Sequence, residues 1–524
     1  MNLLPISQNI NSMQSSVLNP SSTLTFIQKL SNTVVSKLTA QQLTMLSSAQ
    51  RGYFTGSQLQ SINKDAWKGF TSSDISGFQN STIQKLGKDF ISAIDQSKLA
   101  AGFTSTQLGS LSSAAVSALD SSRIASLSGS QLNGVLSNSR NSTTHFSELN
   151  AGAINGITAT NITGIAATNI KYIDPKVIRS VSTSAIAALS VNQIGALTNA
   201  QVANLSSDQI NGLSTTQKSN FSADQLAKIS AAAWQGFSAS DLQAISSTKI
   251  PSLGANFVNG VSGRLSNLGA SQLSVLSNAS VENIGFNAIK AMSGTQLDAI
   301  LAGDDNSETL PSALTSDAIS AITPVQMSSV STANIKMVNS KVFSALRNDV
   351  IAGLTTTQIG ALTNNQLSKL TVPQIHAFSV NLLSTAQIKN LDPSVVANLD
   401  ESQVVALTND EVAALTRTQL KAFTPQEVNA LSTAQKASLS AQQQTYLVAG
   451  AASSVSNLVM TNLTSSGIKA LTAQDIFHFT STQLSSLTTS QIKAFSTNQI
   501  AALSYTQIKD VDASRLDSFL SIMG

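Results

Sequence analysis

Residues 189–250 read LSVNQIGALTNAQVANLSSDQINGLSTTQKSNFSADQLAKISAAAWQGFSASDLQAISSTKI, with an apolar residue followed at once by Ser or Thr at Leu189, Leu197, Leu205, Leu213, Phe221, Ile229, Phe237 and Ile245. The period is eight residues. Four residues after the apolar position comes a mostly Gln position (Gln193, Gln201, Gln209, Gln217, Gln225), and the next residue is usually Ile, Leu or Val. The unit is therefore Leu-Ser/Thr-x-x-Gln-Ile-x-x.

Each fixed position has a helix-start role. The Ser or Thr caps the helix, Gln at the third helical position reaches back to the cap, and the flanking apolar pair forms a hydrophobic staple. Acidic residues at the Gln position, such as Asp241, Asp475 and Glu411, suit a first helical turn for the same reason. A continuous helix is excluded, because eight residues at roughly 100° each overshoot two turns and wind the apolar stripe around the rod. A strand is excluded too, because spacings of five and three put the Leu and the Ile on opposite faces of a pleat. The spacing predicts helices of about five to seven residues joined by tight corners. Helices this short do not persist alone in water, where about 12 to 15 residues are needed, so stacking on neighbours must hold them. The expected fold is all-α: a solenoid of very short helices with a continuous Leu/Ile spine.

Beyond this stretch, the same frame occupies Leu399 to Gln443, Leu38 to Phe78 and the run from Leu487 to Ile508, and Asn replaces Gln at Asn161 and Asn169. The register lapses at residues 1–34 and around 133–153, 251–267, 280–312, 379–387 and 444–463. The organisation expected is an N-terminal cap or assembly arm over 1–34 and an octad solenoid over 35–260. An irregular insertion or boundary follows over 261–312, and then a second octad solenoid over 313–524 with a C-terminal cap or export segment.

Composition narrows the function. Charged residues are only 11% of the 524, against roughly 25% in an average soluble protein, while apolar residues are 42%. The surface must then be mostly Ser, Thr, Asn and Gln, and a formal charge of +3 does little to keep copies apart, so self-association is favoured. Thirty Lys and Arg face 27 Asp and Glu with no dense basic run, which argues against nucleic acid despite a pI near 8.9. The absence of cysteine removes disulfides, thiolate metal sites and cysteine nucleophiles. Residues 1–20 lack the pattern of a cleaved secretory signal, and no segment approaches the 18 or more consecutive apolar residues of a membrane span.

Chemistry-bearing residues are sparse. His145, His376 and His478 lie in distant octads without companion ligands, and the acidic run Asp304 to Glu308 lacks the spacing of a calcium loop. Trp67 and Trp234 occupy the Ile position of their octads, as core residues would. Arg51, Lys218 and Lys436 occupy that same apolar position and are expected to snorkel outward along their stems or to face a groove. No phosphate loop, nucleophile elbow or paired-carboxylate pattern is present, so no catalytic, cofactor-binding or metal residue is assigned and an enzyme is not expected.

The octads at 354–371 (LTTTQIGALTNNQLSKLT) and 487–510 (LTTSQIKAFSTNQIAALSYTQIKD) resemble the short Leu-Thr-x-x-Gln-Ile-x-Ala tandem repeats of large exported and surface proteins of proteobacteria, often described as adhesin-like. The resemblance implies an extracellular or cell-surface protein exported without a cleaved signal, with the segment from Asp510 to Gly524 as a candidate guide. The expected role is structural: a self-assembling fibre or layer, or an adhesive spacer, whose main partner is itself. Two rivals are an α-solenoid scaffold or secreted effector that binds a surface or host protein, and an enzyme hidden in the irregular regions near His145 or Asp304.

Overall fold

The structure is a computed structural model that describes residues 20–137, 151–303, 313–440 and 463–523 apart from 478, 510 and 512, with isolated positions at 149, 442–444, 446–447 and 460. Every regular element among the described residues is a helix. The chain divides into two compact units, Met1–Val261 and Ser262–Gly524. In each, short helices stack in series as a helical solenoid.

One octad shows why these residues build this element. Ser190 has extended backbone and accepts a hydrogen bond from the Gln193 amide, while the Gln193 side chain accepts from the Ser190 amide, so both free N–H groups of the first turn are satisfied. The helix Val191–Gly195 runs five residues. It ends when the amide of the next apolar residue, Leu197, bonds back to the Ile194 carbonyl at 3.2 Å, a three-residue step that tightens the last turn. Leu205 closes on Val202 and Leu213 on Ile210 in the same way. The corner then passes through extended backbone at the Leu-Ser pair. It requires no left-handed residue, since no described Gly has positive φ and Ser262 is the single described non-Gly residue that does. This is why the repeat runs on Ser and Thr and not on Gly and Pro.

The staple pair forms the core. Leu189 and Ile194, Leu197 and Val202, and Leu205 and Ile210 are all buried, and Trp67 and Trp234 lie in this spine at 2% and 0% exposure. Trp234 meets the rings of Phe237 and Phe257 at 4.5 and 4.8 Å between centroids, and Trp67 meets Phe70 and Phe90 similarly.

Stacking follows a fixed interval. The helix Thr183–Ala187 packs on Ser207–Gly212, and Asn199–Ala203 on Ala223–Lys228, three helices apart in the chain. Successive layers approach so closely that some positions exclude a side chain: a methyl at Gly69 would lie 2.6 Å from the Ala40 carbonyl oxygen of the layer beneath.

The stretch 261–312, expected to be irregular, carries the helices Ser262–Asn267, Ala270–Leu273, Asn278–Val281, Phe286–Ala291 and Gly294–Gly303, and residues 304–312 lie outside the described residues. In the N-terminal stretch 1–34, the described part holds the helix Pro20–Lys29 and the start of Asn32–Val35. The C-terminal stretch ends in the helix Ala513–Met523, whose Phe519 is buried against Phe495.

The caps give a first prediction. Thr198→Ala removes the acceptor for the Gln201 amide and is expected to lower stability by about 1 kcal/mol. Thr198→Ser, which keeps that oxygen, should lie within a few tenths of wild type in urea unfolding.

Candidate functional site

The repeated Gln is the most constrained polar residue in the molecule. Gln193 is 3% exposed, so its amide must find partners inside the protein. Its Oε1 accepts from the Ser190 amide at 2.8 Å, and its Nε2 donates to the carbonyls of Ile162 at 2.9 Å and Ile165 at 2.7 Å. Those carbonyls lie 31 and 28 residues earlier, at the C-terminal end of a helix in the previous coil. Gln201 repeats the pattern on Ile170 and Ile173, and Gln209 on Ile178 and Val181. In the second unit Gln358, Gln366 and Gln499 do the same at the same offsets. One side chain thus starts its own helix and ties down the end of another. Since the helix three back packs alongside while the bond reaches the helix four back, one coil takes between three and four octads.

The bond, and not the residue count, sets the register. Asn161 reaches Ile124 at an offset of 37, and Gln326 reaches Ile289 and Met292 at 37 and 34, so the lapses around 133–153 and 280–312 add six residues without breaking the stack. Gln387 and Gln403 instead span 28 and 25, because the unit at 379–383 is three residues short.

What this position needs is a donor. Lys249 stands where Gln is expected and its Nζ donates to the Ser219 and Phe221 carbonyls at 2.7 Å each. Arg123 reaches Ile91, Ser92 and Ile94, Lys98 reaches Lys68, and Arg515 reaches Leu487 at an offset of 28. Where the third position of a described cap is Lys98 or Arg123, the cap itself is an Asp, Asp95 or Asp120, which accepts the helix N–H. Helix capping alone, the role assigned from sequence, is half of what the residue does.

Acids at this position keep the capping half and lose the donor. The structure shows how two of them are accommodated, and it corrects the expectation for Arg51 and Lys218, which neither snorkel outward nor face a groove. Arg51 is 6% exposed; its Nε donates to Asp74 at 2.7 Å, and its Nη1 donates to the carbonyls of Leu43 at 3.0 Å and Leu46. Leu43 and Leu46 stand 31 and 28 residues before Asp74, so Arg51 delivers the hydrogen bonds that a glutamine in place of Asp74 would have made. Lys218 pairs with Asp241 at 2.7 Å across the same 23-residue separation. A second relay to the carbonyls is neutral: Gly467 has no side chain, and Gln444 donates to the carbonyls of Lys436 and Leu439, 31 and 28 residues before Gly467.

The pairs hold their carboxylates ionised. Burial pushes Asp74 and Asp241 up, but the cation and the cap donors outweigh it, leaving Asp74 below its ordinary value and Asp241 at about 2. Lys436 is also buried, at 5% exposure, and burial lowers its pKa; the residue 23 positions on is Val459, which offers no carboxylate.

The other residues considered from sequence do not converge. His376 is exposed, its Nε2 2.8 Å from the Asn398 carbonyl, whereas His145, His478 and the Asp304–Glu308 run lie outside the described residues. Among the described residues no three His, Cys, Asp or Glu side chains are placed to share a metal ion. The row of buried amides, cations and acids is a structural fastening whose donors and acceptors are turned inward. The 23-residue spacing of Arg51 to Asp74 and of Lys218 to Asp241 is a signal available in the sequence.

A family described as the ALTTAQ repeat matches residues 476–510, which include the octads at Gln483, Gln491, Gln499 and Gln507. No curated protein matches the chain.

Proposed function

We propose that the chain is an extracellular or cell-surface structural repeat protein that self-assembles into a fibre or layer or serves as an adhesive spacer. The observation that carries this reading is the division of labour among its polar groups. The Gln row is spent inside on inter-coil bonds, so the outer face is left with Ser, Thr and Asn and few charges. Such a face offers many hydrogen-bonding groups and little electrostatic repulsion between copies. Large apolar side chains also stand on it: Tyr505 is 81% exposed, Val325 78% and Val405 56%. No helix among the described residues is long and apolar enough to cross a membrane.

The test is sedimentation of the purified chain over a range of concentrations, with electron microscopy of the same material and of the native cell surface. Concentration-dependent assemblies that shrink in a Tyr505→Ser/Val325→Ser variant are expected. A strictly monomeric protein that is never found outside the cell would sink the proposal. Recovery of one stoichiometric foreign partner would favour a binding scaffold instead.

A further inference from the structure

Three acids at the Gln position, Glu411, Glu427 and Asp475, have no base 23 residues earlier, where Ile388, Val404 and Ala452 stand; among the described residues Glu427 is the one of the three with a buried carboxyl oxygen that lacks a hydrogen-bond partner. Glu427 caps its helix in the usual way, with Oε2 accepting from the Thr424 amide at 2.5 Å. The octads on either side place their Nε2 atoms on carbonyls 31 and 28 residues back, Gln419 on Ile388 and Leu391, and Gln435 on Val404 and Leu407. The same offsets assign Glu427 to the carbonyls of Val396 and Leu399. Its Oε1 is buried and has no hydrogen-bond partner. The relay position, 23 residues earlier, is Val404, which is apolar and fully buried. A carboxylate here would set an anion against two carbonyl oxygens with no cation between them.

We propose that Glu427 carries its proton in the folded protein and uses it as the inter-coil donor to the Val396 and Leu399 carbonyls, which makes this coil a seam that loosens as pH rises. The charges around it do not supply an alternative. Among the described helices Glu401–Ala406 packs against Pro425–Ala430, and its one charged residue, Glu401, is exposed, with Asp400 at its cap. The neighbouring helices Arg417–Ala422 and Thr433–Ser438 contribute Arg417, Lys421 and Lys436, and none of these bonds to the Glu427 carboxyl. Burial raises the Glu427 pKa above its ordinary 4.5, in accord with a retained proton. Because the folded value lies above the unfolded one, the stability this group contributes is whole below about 4.5 and is lost as pH climbs to the folded value. In that window the opening equilibrium of the seam shifts about tenfold per pH unit.

The experiment compares the full chain with its Glu427→Gln variant, which carries the consensus donor and retains the cap. Infrared difference spectra at about pH 6, where an exposed Glu is ionised, are expected to show a protonated carboxyl band present in wild type and missing from the variant. Hydrogen exchange followed across the window should show the helices Pro393–Val396 and Pro425–Ala430 opening more readily with rising pH in wild type alone, after correction for intrinsic exchange. An ionised Glu427 in the infrared spectrum, or identical pH profiles for the two proteins, would overturn the proposal.

Discussion

Arg51→Met is expected to destabilise the first unit by about 3–5 kcal/mol, the range seen when one partner of a buried ion pair is removed. Two losses combine. Asp74, whose side chain is fully buried in the pair, keeps its charge without a counter-ion, and the Leu43 and Leu46 carbonyls lose the donor that reached them. The decisive measurement is the double variant Arg51→Ile/Asp74→Gln, which rewrites the relay as a consensus octad. Urea unfolding of the double variant should recover most of the loss, because the introduced glutamine can bond to both carbonyls directly and the introduced isoleucine joins the spine. If the double variant is as unstable as Arg51→Met, the relay is not what the pair is for.

Gln201→Leu is the second large effect. Gln201 is fully buried, accepts from the Thr198 amide and donates to Ile170 and Ile173 at 2.9 and 2.6 Å. Leu removes both halves at once, leaving buried acceptors that are short of a partner, at a cost of about 1–3 kcal/mol, with about 1 kcal/mol more for the weakened cap. Gln201→Lys separates the halves. Lys249 shows that a Lys at this position donates to carbonyls 30 and 28 residues back, so the Lys variant should retain donation to the previous coil and lose only the reciprocal cap bond. Equal losses for Leu and Lys in unfolding experiments would mean that the donor contributes nothing and that the row is held by the apolar spine alone.

Much of this is legible in the residues. Ser190, Gln193, Leu189 and Ile194 announce a capped short helix and a staple, and the structure has them in those roles. Trp67 and Trp234 are core residues, as their place in the octad implies. The expectation for Arg51 and Lys218 fails for a physical reason. A cation at an apolar position has a partner 23 residues away, and a partner at that distance can be recognised only when the coil is known to bring three successive octads around to the same place. Asp241 reads as a first-turn residue, which is true of its cap bond and silent on its buried ion pair with Lys218.

Everything local follows from the residues alone: where each helix starts, that it must stop within a turn or two, and that no helix so short can stand unsupported. Those are properties of a few neighbouring residues, set by cap oxygens, free N–H groups and the apolar pair around them. It takes the wound coil to fix how many octads close a turn, which carbonyls each Gln serves, and how the lapses around 133–153, 280–312 and 379–387 are absorbed without losing the stack. The reason is that the free hydrogens of Nε2 are satisfied by carbonyls 28 to 31 residues away, and an octad consensus contains no information on which distant acceptor lies within about 3 Å once the chain has wound back on itself.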